Sequence, residues 1–268
     1  NANFNHESLS CVYEASGNSM VAFGRFMRPI YWLLRGRFAL PAFGGFLSLV
    51  YLCGASYLLV TILEIQKKVL IAFTCGLMVV NPFVVAMNAT FVHDVDAYCL
   101  SLLLALLGVW SSLYWKHGRI WAAPLYLCSL GLYPAYISVA IYLFLILAVR
   151  ELLRGKTVKE VYGQTILHFL SIIAGLLLLL VCSKIAQAVT GVSGATSYQS
   201  ISNIPALTPR SILERLANCL LCEGTWLLYP PGNSKHFIII ANVLMLVLAA
   251  VCGIGTLRRR GLKAASVW

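Results

Sequence analysis

A chain of 268 residues that is 60% hydrophobic and only 11% charged, with a mean hydropathy of +0.84, is too apolar for a soluble domain, in which about a quarter of residues are charged. The same figures exclude disorder, collagen-like repeats and a small disulfide scaffold. Lysine and arginine number 20 against 9 acids, a net charge of +11. In a membrane chain this points first to cytoplasmic loops, and no nucleic-acid-binding module is present.

Crossing a bilayer core of about 30 Å takes about 20 helical residues. The uncharged runs of that size are 38–63, 69–92, 97–115, 120–149, 161–183 and 237–257. The run 120–149 is too long for one helix and is interrupted by Gly131 and Pro134, which predicts a hairpin of two short arms. The expected architecture is an all-α polytopic membrane protein with at least six membrane helices. Its expected parts are an outer loop, 1–37, and membrane helices, 38–186, including the hairpin at 120–149. A second outer loop, 187–235, and a last helix with a basic tail, 236–268, complete it.

Basic residues set the sides. Lys67 and Lys68, Lys116 and Arg119, then Arg150, Arg154, Lys156 and Lys159, and finally Arg258, Arg259, Arg260 and Lys263 fall at alternate ends of the runs, which places those loops in the cytoplasm. The opposite side receives 1–37, the turn at 88–96, the hairpin tip at Tyr133 and the segment 187–235. It also receives six of the nine acids. Two outer segments have the pattern of helices lying on the membrane. In the first, Phe23, Phe26, Met27, Ile30, Leu33 and Leu34 share one face, with Arg25, Arg28, Tyr31 and Arg35 on the other and a kink expected at Pro29. The second is 209–221, with Thr208 as N-cap and Pro209 at the first helical position.

The candidate chemistry lies on the outer side. His93, Asp94 and Asp96 stand together where a loop enters a membrane helix, and ionisable groups there are costly enough to suggest a site. The competing account is that an aspartate caps the helix N-terminus. Arg25, Arg28 and Arg35 are suited to clamp a phosphate through paired donors, or else to meet anionic lipid headgroups. Glu14 is an alternative general base, its competing account being surface solvation. Cys219 and Cys222 form a C-x-x-C pair without two further ligands, and one Asp-Val-Asp triplet is too little to establish a metal, so a divalent cation is the only cofactor left open. Asn88-Ala89-Thr90 matches a glycosylation triplet, and His168 is expected to pack against a neighbouring helix.

Asn5-His6-Glu7-Ser8-Leu9, Gly24-Arg25-Phe26 followed by Pro29, the stretch from Phe91 to Tyr98, and Leu130-Gly131-Leu132-Tyr133 with Tyr136-Ile137-Ser138 resemble the bacterial Gtr-type membrane glucosyltransferases of the GT-C superfamily, which decorate O-antigen and related surface glycans. The resemblance covers the first half of the chain, and Pro134 stands where that family usually has glutamine. It implies a GT-C-like helical bundle in the bacterial plasma membrane, a polyprenyl-phosphate sugar donor, a surface glycan acceptor and an outward-facing site. It also implies an essential acid in the first outer loop, which leaves room for one before Asn1. Joined to the residues above, it makes Asp94, Asp96 or Glu14 the acid-base group, with Arg25, Arg28, Arg35 and His93 binding substrate. The alternative is a transporter or flippase of a lipid-linked saccharide, which would call for charges near the midplane of the spans.

Overall fold

The computed structural model describes residues 17–36, 40–80, 84, 93–194 and scattered positions between 214 and 255. Contacts divide the chain into two compact units, Asn1–Ser202 and Asn203–Trp268. Among the described residues there is no strand.

The described part of the first unit begins with two short helices, α1 (Gly17–Ala22) and α2 (Met27–Arg35), joined by a turn in which Gly24 takes φ +79°, a backbone state other residues rarely adopt. The single kinked helix expected across Phe23 to Arg35 is therefore a turn over its first four residues followed by one helix, α2. Pro29 lies in the first turn of α2, where its missing N–H costs no intrahelical bond, so no kink is needed.

Then follow α3 (Pro41–Leu63), α4 (Lys68–Val80), α5 (Val95–Tyr114) and α6 (Gly118–Leu132). A 3₁₀ turn (Pro134–Tyr136), α7 (Ile137–Leu153) and α8 (Val158–Thr190) complete the described part of this unit. The break expected at Gly131 and Pro134 is the junction of α6 with that turn. With 15 residues, α6 is roughly 22 Å long, short of a full bilayer core. Among the described residues four segments are long and apolar enough to cross a membrane: α3, α5, Pro134–Leu153 and α8. Helix α8 starts on a capping box in which Thr157 accepts from the Glu160 N–H and Glu160 accepts from the Thr157 N–H.

Helix α5 is the centre of the bundle. Some 61% of its most apolar stretch is buried, against 22–33% for the other three segments, so those turn most of their surface to lipid while α5 is enclosed by α3, α6 and α7. The core follows: Leu102, Leu106 and Val109 of α5 meet Leu52, Ala55 and Ile62 of α3, Tyr126 of α6 and Phe144 of α7. Lipid does not drive apolar surfaces together, so small and polar side chains help join the helices. Ser101 Oγ donates to the Ser129 carbonyl (2.9 Å) and Ser129 Oγ to the Ser101 carbonyl (2.8 Å), tying α5 to α6. His168 accepts or donates at Nδ1 to Ser112 Oγ (2.6 Å) and stacks on Phe144, the neighbour-helix packing expected of it.

The helices alternate in direction, and this gathers residues distant in sequence. Residues 17–36, the start of α5, Tyr133 and the end of α8 lie at one end of the bundle, where Gln187 Nε2 reaches the Val21 carbonyl (3.5 Å). Glu64, Arg150, Arg154 and the start of α8 lie at the other. In the second unit the described residues are helical turns, with Val243, Leu244, Val247 and Val251 exposed. The amphipathic segment 209–221 and the glycosylation triplet fall mostly outside the described residues.

Candidate active site

Arg28, Tyr31, Trp32 and Arg35 follow the i, i+3, i+4, i+7 spacing of one helix face. In α2 that face turns inward: Arg28, Tyr31 and Trp32 are buried, while Ile30, Leu33 and Leu34 are 45%, 60% and 83% exposed. This inverts a soluble amphipathic helix and suits a bilayer surface, where the apolar face meets lipid and the polar face meets protein. The close seat of α2 needs Gly131, because a Cβ there would come within 2.6 Å of Met27 Cγ.

The inward face docks on the N-terminus of α5. Arg28 Nη1 pairs with Asp94 Oδ2 at 3.0 Å, and Trp32 Nε1 donates to Asp94 Oδ1 at 3.0 Å. Arg35 Nη1 reaches both oxygens of Asp96 (2.6 and 2.7 Å) and the His93 carbonyl (3.0 Å), and the Tyr31 hydroxyl donates to Asp96 Oδ2 (2.8 Å). His93 Nε2 lies 3.4 Å from Asp94 Oδ2. Asp94 stands at the N-cap position of α5, but its side chain makes no capping bond; it is spent on Arg28 and Trp32. Capping therefore does not account for these carboxylates, which are 1% and 0% exposed.

Arg25 precedes α2 and so does not share its polar face as the helical spacing suggested. It joins the site another way, with its guanidinium over the Tyr133 ring (5.2 Å to the centroid), as Arg28 lies over Tyr98 (4.6 Å). Tyr98 and Tyr133 meet edge to face at 4.5 Å, and Ser101 Oγ holds the Tyr133 carbonyl at 3.0 Å. Two arginines thus rest on a continuous aromatic floor built from α5 and the end of α6. Burial pulls the Arg25 pKa down and the neighbouring charge of Arg28 adds to this. Burial is also the largest single influence on Arg28, but Asp94, Tyr98 and Tyr133 together outweigh it and hold its pKa above the ordinary value. Burial, then the Tyr51 and Asp96 contacts, push the Tyr31 hydroxyl pKa up, so Tyr31 stays a donor. Both guanidinia remain charged, since arginine is not deprotonated in proteins.

Five of the seven side chains singled out from sequence, Arg28, Arg35, His93, Asp94 and Asp96, form one bonded cluster, and Arg25 lies beside it. Glu14 lies outside the described residues. Sequence reasoning missed Trp32, Tyr98 and Tyr133. Trp32 was legible as the i+4 partner of Arg28, and Tyr98 as the i+4 partner of Asp94, but the rule that sorts apolar from charged positions assigns an aromatic with a polar edge to neither. Tyr133 becomes a neighbour of Arg25 only through the α5–α6 hairpin.

Chemically, the cluster offers donors suited to an anion. Arg25, Arg28 and Arg35 gather with Asp94 and Asp96 here, and Arg28 Nε and Nη2 and Arg35 Nε are buried without hydrogen-bond partners. Buried donors left unmatched are costly, and a bound oxyanion would match them. The donor set does not fit a divalent cation, because both carboxylates already face guanidinium groups. Among the described residues no group of three His, Cys, Asp or Glu side chains is arranged to hold a metal.

The model of a family described as glucosyl transferase GtrII matches residues 1–267. No curated protein and no solved structure matches the chain significantly.

Proposed function

The chain belongs to the GtrII glucosyl transferase family and is a membrane glycosyltransferase, and from that premise we propose that it moves glucose from a polyprenyl-phosphate donor to a cell-surface glycan on the outer face of a bacterial plasma membrane. The observation that carries this reading is the set of buried guanidinium donors left unmatched on Arg28 and Arg35, beside the aromatic floor that Arg25 and Arg28 share. A phosphodiester-linked sugar carries one negative charge at its phosphate, and that charge grows as the sugar leaves. Arg25 and Arg28 hold and stabilise the phosphate, so the leaving group needs no general acid. The bond from the anomeric carbon to the phosphate oxygen breaks as the bond to the acceptor oxygen forms, with inversion, and a carboxylate takes the acceptor's proton.

Asp94 and Asp96, read from sequence as the base, serve in this proposal to hold Arg28 and Arg35 in place. The oxygens of both carboxylates are already engaged by arginine and by Trp32 or Tyr31, which ties them to α2 rather than leaving them to reach an acceptor hydroxyl. The base is then Glu14 or another acid of the first outer loop. The transporter alternative loses support because the ion pairs among the described residues of this unit gather at the two ends of the bundle. Outward orientation follows from the positive-inside rule applied to those ends. A cysteine placed at Lys156 should resist an impermeant reagent in intact cells.

Donor binding is tested by measuring glucose transfer in membranes against donor concentration. Arg25→Ala should raise the donor KM more than Arg37→Ala, although both remove one charge. Equal effects would make the outer arginines a general attraction for lipid headgroups and remove Arg25 from the site.

A further inference from the structure

On the flank of the bundle away from the arginine cluster, α6 and α8 form an open apolar groove of about 620 Å³, lined by Ile120, Trp121 and Pro124 on one side and Leu167, Leu170 and Leu178 on the other, with Arg119 also in its lining. Its wall faces the membrane: Ile120 is 71%, Trp121 59% and Leu170 51% exposed. An apolar groove of this kind in a bilayer is filled by a hydrocarbon chain rather than by water.

Charge decides which chain. At this end of the bundle Arg150, Arg154 and Lys156 are each paired with Glu64 or Glu151, and Glu160 is occupied in the capping box. Arg119 has no carboxylate partner among the described residues, is exposed, and stands three residues after Lys116. The feature therefore joins an unbalanced cation to an apolar groove that runs from it into the membrane. Trp121 sits beside that cation, a residue suited to the boundary between headgroups and chains.

We infer that this groove is a binding site for an anionic phospholipid, one acyl chain lying between α6 and α8 and the phosphate on Arg119. The site is separate from the donor site and does not depend on the glucosyl-transfer reading.

The test uses the full chain, purified in detergent and titrated with dioleoyl phosphatidylglycerol or dioleoyl phosphatidylcholine, with bound lipid counted by native mass spectrometry. The parent should retain one phosphatidylglycerol in preference to phosphatidylcholine. Arg119→Gln should cut that preference about fivefold, the equivalent of one arginine at an anionic surface. Lys67→Gln, which removes a charge elsewhere, should leave it unchanged. Ala174→Phe, which fills the groove, should weaken both lipids. Because Arg119 is exposed, its substitution leaves the fold intact and decides the matter even if the groove-filling variant does not accumulate. Equal binding of the two phospholipids by the parent would overturn the proposal, as would a preference unaffected by Arg119→Gln. Displacement of phosphatidylglycerol by equimolar undecaprenyl phosphate would also overturn it, assigning the groove to the donor lipid instead.

Discussion

The two ends of the bundle both carry arginine–carboxylate networks, and they differ in how much water reaches them. At the α2–α5 end the Arg28–Asp94 side chains are each 2% exposed and the Arg35–Asp96 side chains 7% and 0%. At the other end Glu64, Arg154 and Lys156 are 42%, 44% and 46% exposed around a half-buried Glu151. Solvated pairs contribute little and are easily exchanged. Buried pairs are weak evidence for stability, because desolvation offsets their attraction, yet removing one partner is severe. The contrast teaches where the molecule accepts an energetic cost: in the α2–α5 pair, beside the proposed donor site, and not in the network that merely closes the other end.

The sharpest way to break that comparison is to uncouple stability from chemistry in the buried pair. Asp94→Asn keeps an acceptor for Trp32 but leaves Arg28 charged and unpaired, and should cost about 3–5 kcal/mol. Replacing both partners, Arg28→Met with Asp94→Leu, should restore most of that stability in detergent-solubilised protein and still abolish glucose transfer. If the double variant transferred glucose at the parent rate, the pair would be structural and the donor phosphate would lie elsewhere.

The fold was legible wherever hydropathy alone decides. The runs 38–63 and 97–115 became α3 and α5 within three residues at each end, because a bilayer asks only for length and apolarity. The site was legible as residue types at the right end of the helices, His93, Asp94 and Asp96 with the outer arginines. Its logic was not. Helical periodicity shows that Arg28, Tyr31 and Arg35 share a face, but not which face meets protein, and in lipid the usual answer is reversed. Nor does periodicity register that Gly24 ends one helix and frees Arg25 to reach the Tyr133 ring. Pairing of Arg28 with Asp94 spans more than sixty positions and is a fact of packing, so spacing along the chain holds no trace of it.

A smaller effect sharpens the same comparison within the buried end. Tyr31→Phe removes one of the donors to Asp96 while both Arg35 contacts stay, and Trp32→Phe does the same to Asp94 while Arg28 stays. Each should cost about 1.5–3 kcal/mol, the range for a hydrogen bond to a charged group, measured as unfolding in detergent. Transfer should persist in both, since the guanidinium groups remain in place. A loss as large as that of Asp94→Asn would mean that the neutral donors, rather than charge balance, hold α2 on α5.

The smallest effect belongs to the exposed end and has a definite pH dependence. Glu64 receives Arg154 at 2.6 Å and Arg150 at 3.2 Å, and the hydrogen bond from Arg154, followed by the charges of Arg150 and Arg154, holds its pKa below the ordinary carboxylate value. A carboxylate with a lowered folded pKa binds fewer protons folded than unfolded, so stability rises with pH across that window. The contribution is fully present above the unfolded value of about 4.3 and is lost as pH falls through the lower folded value. Glu64→Gln keeps the side-chain shape at a position where the backbone is already left-handed, φ 57°, so it isolates the charge. Screening by solvent limits the loss to less than about 1 kcal/mol at neutral pH. Apparent melting temperatures of parent and variant should therefore differ slightly at neutral pH and converge in acid. A difference that exceeded that of Tyr31→Phe, or that persisted unchanged below the carboxylate range, would show the two ends to be energetically alike, and exposure would no longer explain which network the site is built on.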